Sequence, residues 1–163
     1  LRESYKYKTL AFGDNGTFSN TNTIGTFLNG EYLTNYVGDN YNNMIEESST
    51  WYLGRVKLGG NYILAKYANT TGETLTSSVT ETKVGLLRLG ELMSGQFFDT
   101  SDNTNYWILT STSASDAWVI SNSGSAGSLN NNYGIKPALN LKQNVVITSG
   151  DGTKNNPFTV ELS

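Results

Sequence analysis

The run Tyr106-Trp107-Ile108-Leu109-Thr110-Ser111-Thr112, followed after a short polar loop by Asp116-Ala117-Trp118-Val119-Ile120-Ser121, decides how this chain is read. Aromatic and β-branched side chains pack well on a pleated surface, and both runs have the length of a strand. Tyr106 to Leu109 is therefore expected as one strand and Asp116 to Ser121 as another. Trp107 sits among Tyr106, Ile108 and Leu109 and is expected in the core. Trp118 follows Ser115-Asp116-Ala117 and precedes a loop, so an inward and an outward ring are both compatible with its neighbours.

Working outward, Ser123 to Asn132 is a Gly/Ser/Asn loop in which only Leu129 can pack. Tyr133-Gly134-Ile135-Lys136-Pro137-Ala138-Leu139-Asn140-Leu141 follows, and Pro137 marks an edge, a bulge or a strand start because it cannot donate to a ladder. Val145 to Ile147 and Phe158 to Leu162 read as strands joined by a hairpin whose signal is Asp151-Gly152. Upstream, Lys6 to Phe12 alternates like a strand. Ile24, Phe27, Leu28 and Tyr32 lie on one helical face, with Thr21 or Thr23 as N-cap. A second short helix is expected around Tyr41, Met44 and Ile45, then strands at Trp51 to Val56 and Tyr62 to Tyr67. Asn69 to Thr82, rich in Thr and Ser, reads as an exposed excursion. Val84 to Leu89 reads as a buried strand leading into a short helix at Gly90 to Met93 that Gly95 closes. One helix from Thr82 to Met93 is the alternative; Gly85 and Gly90 oppose it, since each costs a helix interior about 1 kcal/mol relative to Ala. Two short helices early and many short strands late predict an α+β fold, and residues 1–163 are expected to form a single domain.

Composition narrows the function. Charged residues make up 15% of the 163 residues, against about 25% in an average domain. Asn, Thr, Ser and Gly fill the difference, which suits a secreted, β-rich protein with an uncharged hydrogen-bonding surface. The chain has no Cys and no His, which removes disulfides, thiol nucleophiles, Cys/His zinc sites and imidazole acid–base chemistry. A net charge of −3 with scattered cations gives no footprint for nucleic acid. No apolar run approaches the ~20 residues needed to span a bilayer, so no membrane contact is expected from this segment.

Several blocks resemble, in the same order, a domain of secreted, surface and pilin-like proteins of Firmicutes. They are "TFLNGEYL" from Thr26, "TWYLGRV" from Thr50, "KVGLLRLGELMSGQF" from Lys83, "YWILTST" from Tyr106, "YGIKPALNL" from Tyr133 and "SGDGTKNNPFTVEL" from Ser149. The resemblance implies a C-type-lectin-like fold, related to the formylglycine-generating and sulfatase-modifying fold, with two short helices, small twisted antiparallel sheets and long loops. It also implies that the chain is the C-terminal globular part of a longer surface protein. Members commonly carry Arg where this chain has Lys136, a position read as a structural charge near the sheet. Formylglycine generation relies on Cys and is not carried over.

The resemblance and the missing catalytic groups together lead us to expect a non-enzymatic, extracellular cell-surface module. Its expected partner is a host or microbial glycan or protein, bound through the late loops; the alternative is the globular head of a pilus subunit contacting its neighbours. The candidate ligand residues are Trp118, Asp116, Asn122, Ser125, Asn130, Asn131 and Asn132. They combine one aromatic surface with many small amide and hydroxyl groups. Asp99, Asp102 and Asn103 have oxygen ligands at a spacing that can hold Ca²⁺, although a turn with Asx caps explains them as well; no other cofactor is expected. Glu46 and Glu47 do not suggest a hydrolase pair, because adjacent helical residues do not converge on one point, and Glu91 reads as a first-turn charge of a short amphipathic helix.

Overall fold

The computed structural model describes residues 9–13, 17–56, 62–63, 72–94, 105–112, 116–121, 125–128, 131–153 and 155–163. In chain order the elements are β1 (Thr9–Leu10), α1 (Thr23–Asn29), α2 (Asp39–Asn42), β2 (Ser49–Arg55), β3 (Tyr62–Ile63), β4 (Thr74–Thr82), β5 (Val84–Gly85) and α3 (Leu89–Ser94). They are followed by β6 (Tyr106–Ser111), β7 (Ala117–Ile120), β8 (Ser125–Ser128), β9 (Tyr133–Gly134), β10 (Ala138–Leu139), β11 (Val145–Ser149) and β12 (Thr159–Leu162). Short helices and several sheets make this the α+β arrangement that the order of apolar segments predicts.

The ribbon β6–β7 organises the molecule. Every residue of both strands is buried, which requires cover on both faces. Tyr106 lies opposite Ile120, and Trp107 opposite Val119, so alternate residues of the two strands share a face. Trp107, Leu109, Ala117 and Val119 face a core completed by Ile24, Phe27 and Leu28 of α1. Tyr106, Ile108, Trp118 and Ile120 face a second core with Val56 and with Leu89, Leu92 and Met93 of α3. Each large side chain removed from water in this way contributes about 1.5–3 kcal/mol.

Trp118 is therefore not an outward platform: it is 1% exposed and belongs to the second core. The doubly covered ribbon hides the usual alternation, so flanking polar residues do not report which way the ring points. The loop expected from Ser123 to Asn132 is also corrected, since it contains β8. That strand pairs antiparallel with β7, Trp118 opposite Ser128, and with β3, Ile63 opposite Ser125. Ser125 is thus a strand residue and not a loop tip.

The largest sheet runs β1-β9-β6-β7-β8-β3, with β2 joined in parallel to β6 and antiparallel to β4. Within the stretch expected as an exposed excursion, Thr74–Thr82 is a strand, β4, and all of it but Val79 and Thr82 is exposed as expected. Its Thr and Val residues suit a strand, and as an antiparallel edge it leaves both faces largely in water. It aligns Tyr52 with Ser78 and Trp51 with Val79. A small sheet pairs β10 with β5, placing Ala138 opposite Gly85, and Pro137 immediately precedes β10 as a strand start. β11 and β12 form a separate hairpin.

Local chemistry sets the helix ends. The N-cap of α1 is Asn22, not Thr21 or Thr23: its Oδ1 accepts the Gly25 N–H at 2.8 Å. The buried face of Ile24, Phe27, Leu28 and Tyr32 is as the periodicity predicts. Beyond it, Leu33–Val37 forms a π turn that Gly38 closes at φ +73°, its N–H reaching the Leu33 carbonyl at 2.9 Å. The second helix, α2, ends at Asn42, short of Met44 and Ile45, because Ile45 bridges to Leu141 instead.

Gly85 does more than oppose a helix. A Cβ there would collide with the indole of Trp51, whose Nε1 donates to the Thr82 carbonyl at 2.9 Å and so cannot swing aside. Gly85→Ala is expected to destabilise the protein by about 1–3 kcal/mol, the usual cost of overpacking. A urea midpoint within error of wild type contradicts this contact.

Candidate binding site

β2 presents alternate residues to opposite sides: Trp51 and Leu53 are buried, whereas Thr50 and Tyr52 are exposed. Tyr52, 54% exposed, stands at the rim of a cleft of about 240 Å³. Leu87 and Glu91 form a second wall, and Ala138, Leu139 and Asn140 a third. The buried rings and chains of Trp51 and Leu109 make the floor. The cleft thus has an exposed ring, the half-exposed apolar side chain of Leu87 and hydrogen-bonding groups on Thr50, Glu91 and Asn140. Asn140 is fixed from behind by its Nδ2 donating to Ser49 Oγ at 3.1 Å.

A buried polar network holds the Leu87–Glu91 wall. Glu73, with a side chain 4% exposed, accepts the Gly90 N–H at 2.8 Å and pairs with the Arg88 guanidinium at 3.3 Å. The Thr110 hydroxyl donates to its other oxygen while accepting the Leu89 N–H at 2.8 Å. Gly54 makes room, since a Cβ there would meet the Glu73 carboxylate. One carboxylate therefore ties the start of β4, the first turn of α3 and the C-terminal end of β6. Glu91 completes the turn with one half of a capping box, accepting the Arg88 N–H at 2.8 Å and the guanidinium at 3.1 Å. Its expected role as a first-turn charge has this structural basis, and both carboxylates are engaged in scaffold bonds.

Asp116 is half-buried and its backbone carbonyl accepts the Thr112 N–H at 2.8 Å. Asn131 and Asn132 are exposed, with Asn131 Nδ2 donating to the Tyr133 hydroxyl at 3.4 Å. Asn122, Asn130, Asp99, Asp102 and Asn103 lie outside the described residues. Among the described residues no three acidic side chains come together in a way that can hold a metal ion. Glu47 is paired with Lys83 at 2.9 Å and Lys142 at 3.8 Å, away from Glu91's partners. Its hydrogen bond from Lys83 holds its carboxyl below the ordinary value.

Other side chains act as scaffold. Trp107 is in the core, its Nε1 donating to the Leu10 carbonyl at 2.7 Å and its ring edge-on to Tyr133 at 5.1 Å. Lys136 lies 4.0 Å over the Tyr106 ring, a cation–π contact that pins the charge to the sheet. Asp151 accepts the Thr153 N–H at 2.9 Å within the hairpin turn, and this bond holds its carboxyl below the ordinary 3.8. A depressed carboxyl stabilises the turn above its unfolded-state pKa and loses that contribution as pH falls through the folded-state value. An NMR titration is expected to place the Asp151 midpoint below 3.8; a midpoint at or above it contradicts the bond.

Sequence reading missed the cleft. Tyr52 was visible only as one position in the alternating strand Trp51 to Val56. Glu73 carries no local signal, because its partners lie 15 to 37 residues away. Among the described residues no helix is long and apolar enough to cross a membrane. Comparisons with protein-family models, curated proteins and solved structures find no match to this chain.

Proposed function

We propose that this chain is a non-enzymatic, extracellular cell-surface binding module of C-type-lectin-like type, which recognises a glycan or a protein through the cleft of Tyr52, Leu87 and Asn140. The observation that carries this reading is the cleft itself. An exposed ring and a half-exposed leucine stand beside amide and hydroxyl groups on a rigid, hydrogen-bonded frame, the composition of a recognition surface. The carboxylates nearby are bonded into the frame, Glu91 to Arg88 and Glu73 to Gly90, Arg88 and Thr110, which supports a binding rather than a catalytic reading. The uncharged polar surface and the block order of the sequence support the extracellular setting.

A screen of glycan arrays and host or microbial surface proteins is expected to yield a saturable ligand. Tyr52→Ala should then weaken binding by about tenfold or more, as loss of an interface anchor does. Because Tyr52 is exposed, its melting temperature should stay near wild type. Wild-type affinity in folded Tyr52→Ala and Leu87→Asn proteins refutes the site.

One feature favours the second reading, a pilus subunit. Val145 faces Leu162, and Ile147 faces Val160, so one side of the β11–β12 hairpin is aliphatic, with Ile147 62% and Leu162 40% exposed. A two-stranded hairpin is marginal alone in water, and a neighbouring subunit seated on that side would stabilise it. Filaments containing the chain in electron micrographs, lost in Ile147→Asp, would support this reading over the first.

A further inference from the structure

The segment Thr34-Asn35-Tyr36-Val37-Gly38-Asp39-Asn40-Tyr41-Asn42-Asn43 lies outside the cleft and serves neither core with most of its side chains. Tyr36 and Tyr41 are 40% and 54% exposed. Asn35, Asn40 and Asn43 are exposed around them. We propose that this segment is a second binding surface, for neutral pyranose oligosaccharides, with the Tyr36 ring as its stacking platform.

The Tyr36 ring is preorganised. Tyr36 stacks on the buried Tyr32, with centroids 6.1 Å apart and planes 27° apart, and tilts against Phe27 at 6.4 Å. Phe27 and Tyr32 are themselves 6.4 Å apart, so the exposed ring is backed by two buried ones. The backbone beneath is held as firmly. Gly38 N–H closes the π turn on Leu33, and Asn42 N–H reaches the Gly38 carbonyl at 3.0 Å. Asn42 Oδ1 is fixed by Lys83 Nζ at 3.2 Å. A π turn takes one extra residue into a helical turn and is frequent at functional sites. Here its effect is to set Tyr36 outward with little left to order on binding, which is where affinity is otherwise lost.

The side chains of the segment also select a chemical class of ligand. A pyranose ring offers an apolar C–H face for an aromatic ring and hydroxyls at its edge for amides that donate and accept. Tyr and Asn in one short segment match both. Nucleic acid needs cations, and the Lys83 ammonium beside Asn42 is already paired with Glu47 at 2.9 Å. Asp39 adds an exposed negative charge, which disfavours acidic sugars. An extended peptide needs a free sheet edge or an apolar groove, and this segment is helical and studded with amides.

The test is NMR titration of the intact chain with cellohexaose, chitohexaose, maltohexaose and mannohexaose, with a heparin hexasaccharide as the acidic comparison. At least one neutral probe is expected to shift resonances of residues 34–43 saturably, with the heparin probe inert. Tyr36→Ala should weaken that binding about tenfold, Tyr36→Phe should retain it, and both should keep wild-type spectral dispersion elsewhere. Tyr52→Ala should leave it unchanged, which separates this surface from the cleft. The proposal is overturned by any of three results: no shifts at residues 34–43 with any neutral probe up to about 10 mM, beyond the millimolar range of weak binding; binding that survives Tyr36→Ala; or heparin binding as tightly as the neutral probes.

Discussion

Glu73→Ala is expected to lower the unfolding free energy by about 3 kcal/mol, a large share of the 5–15 kcal/mol that holds a typical domain. Truncating one partner of a buried ion pair costs about 3–5 kcal/mol, chiefly because polar groups are left enclosed without partners. Here those groups are the Gly90 N–H, the Thr110 hydroxyl and one side of the Arg88 guanidinium. The lower end of the range applies because Arg88 keeps Glu91 at 3.1 Å. Glu73→Gln keeps the shape and one acceptor oxygen, so its loss should be smaller, about 1–3 kcal/mol for the groups left imperfectly paired. Urea denaturation of the three proteins measures both numbers. Equal midpoints for wild type and Glu73→Ala would show that the network does not fix the Leu87–Glu91 wall.

Trp118→Ala should be at least as damaging, by about 3–5 kcal/mol, the range for deleting a buried aromatic side chain. The ring is 1% exposed and fills the space between β7 and α3 beside Leu89, Leu92 and Met93. Loss of it opens a cavity in the smaller of the two cores, where little else can close over the gap. Trp118→Phe keeps most of the apolar volume and should lose much less. A folded Trp118→Ala protein with a wild-type melting curve would mean that the ring does not pack under α3. Trp118→Phe, if folded, should bind ligand normally, since the ring lines no part of the cleft.

These expectations mark what the sequence made legible. The 3.6-residue spacing of Ile24, Phe27, Leu28 and Tyr32 identified α1 because one face is buried and the other wet. The hairpin at Asp151 was legible because its turn chemistry is local, down to the Thr153 N–H on the Asp151 carboxylate. The α+β class followed from element order, and the structure agrees with it at that level. Trp118 was ambiguous for a physical reason: a ribbon buried on both faces is apolar throughout, so period-2 alternation carries no direction there. β4 was misread because Thr and Ser look like loop residues until a partner strand is known to lie alongside. The cleft was illegible for a third reason. Tyr52, Leu87 and Asn140 are 35 to 88 residues apart along the chain, and only the pairing of β5 with β10 and the capped start of α3 bring their walls together. Glu73 was hidden in the same way, because each of its partners is distant and none marks it locally.

Crystals grown with the ligand recovered from the binding screen test the central claim most directly. Ligand density is expected in the cleft, against the Tyr52 ring and within hydrogen-bonding distance of Asn140, with the Glu73–Arg88–Glu91 network unchanged beneath it. Density seated instead on the exposed Asn131 and Asn132, with the cleft holding only water, would contradict it.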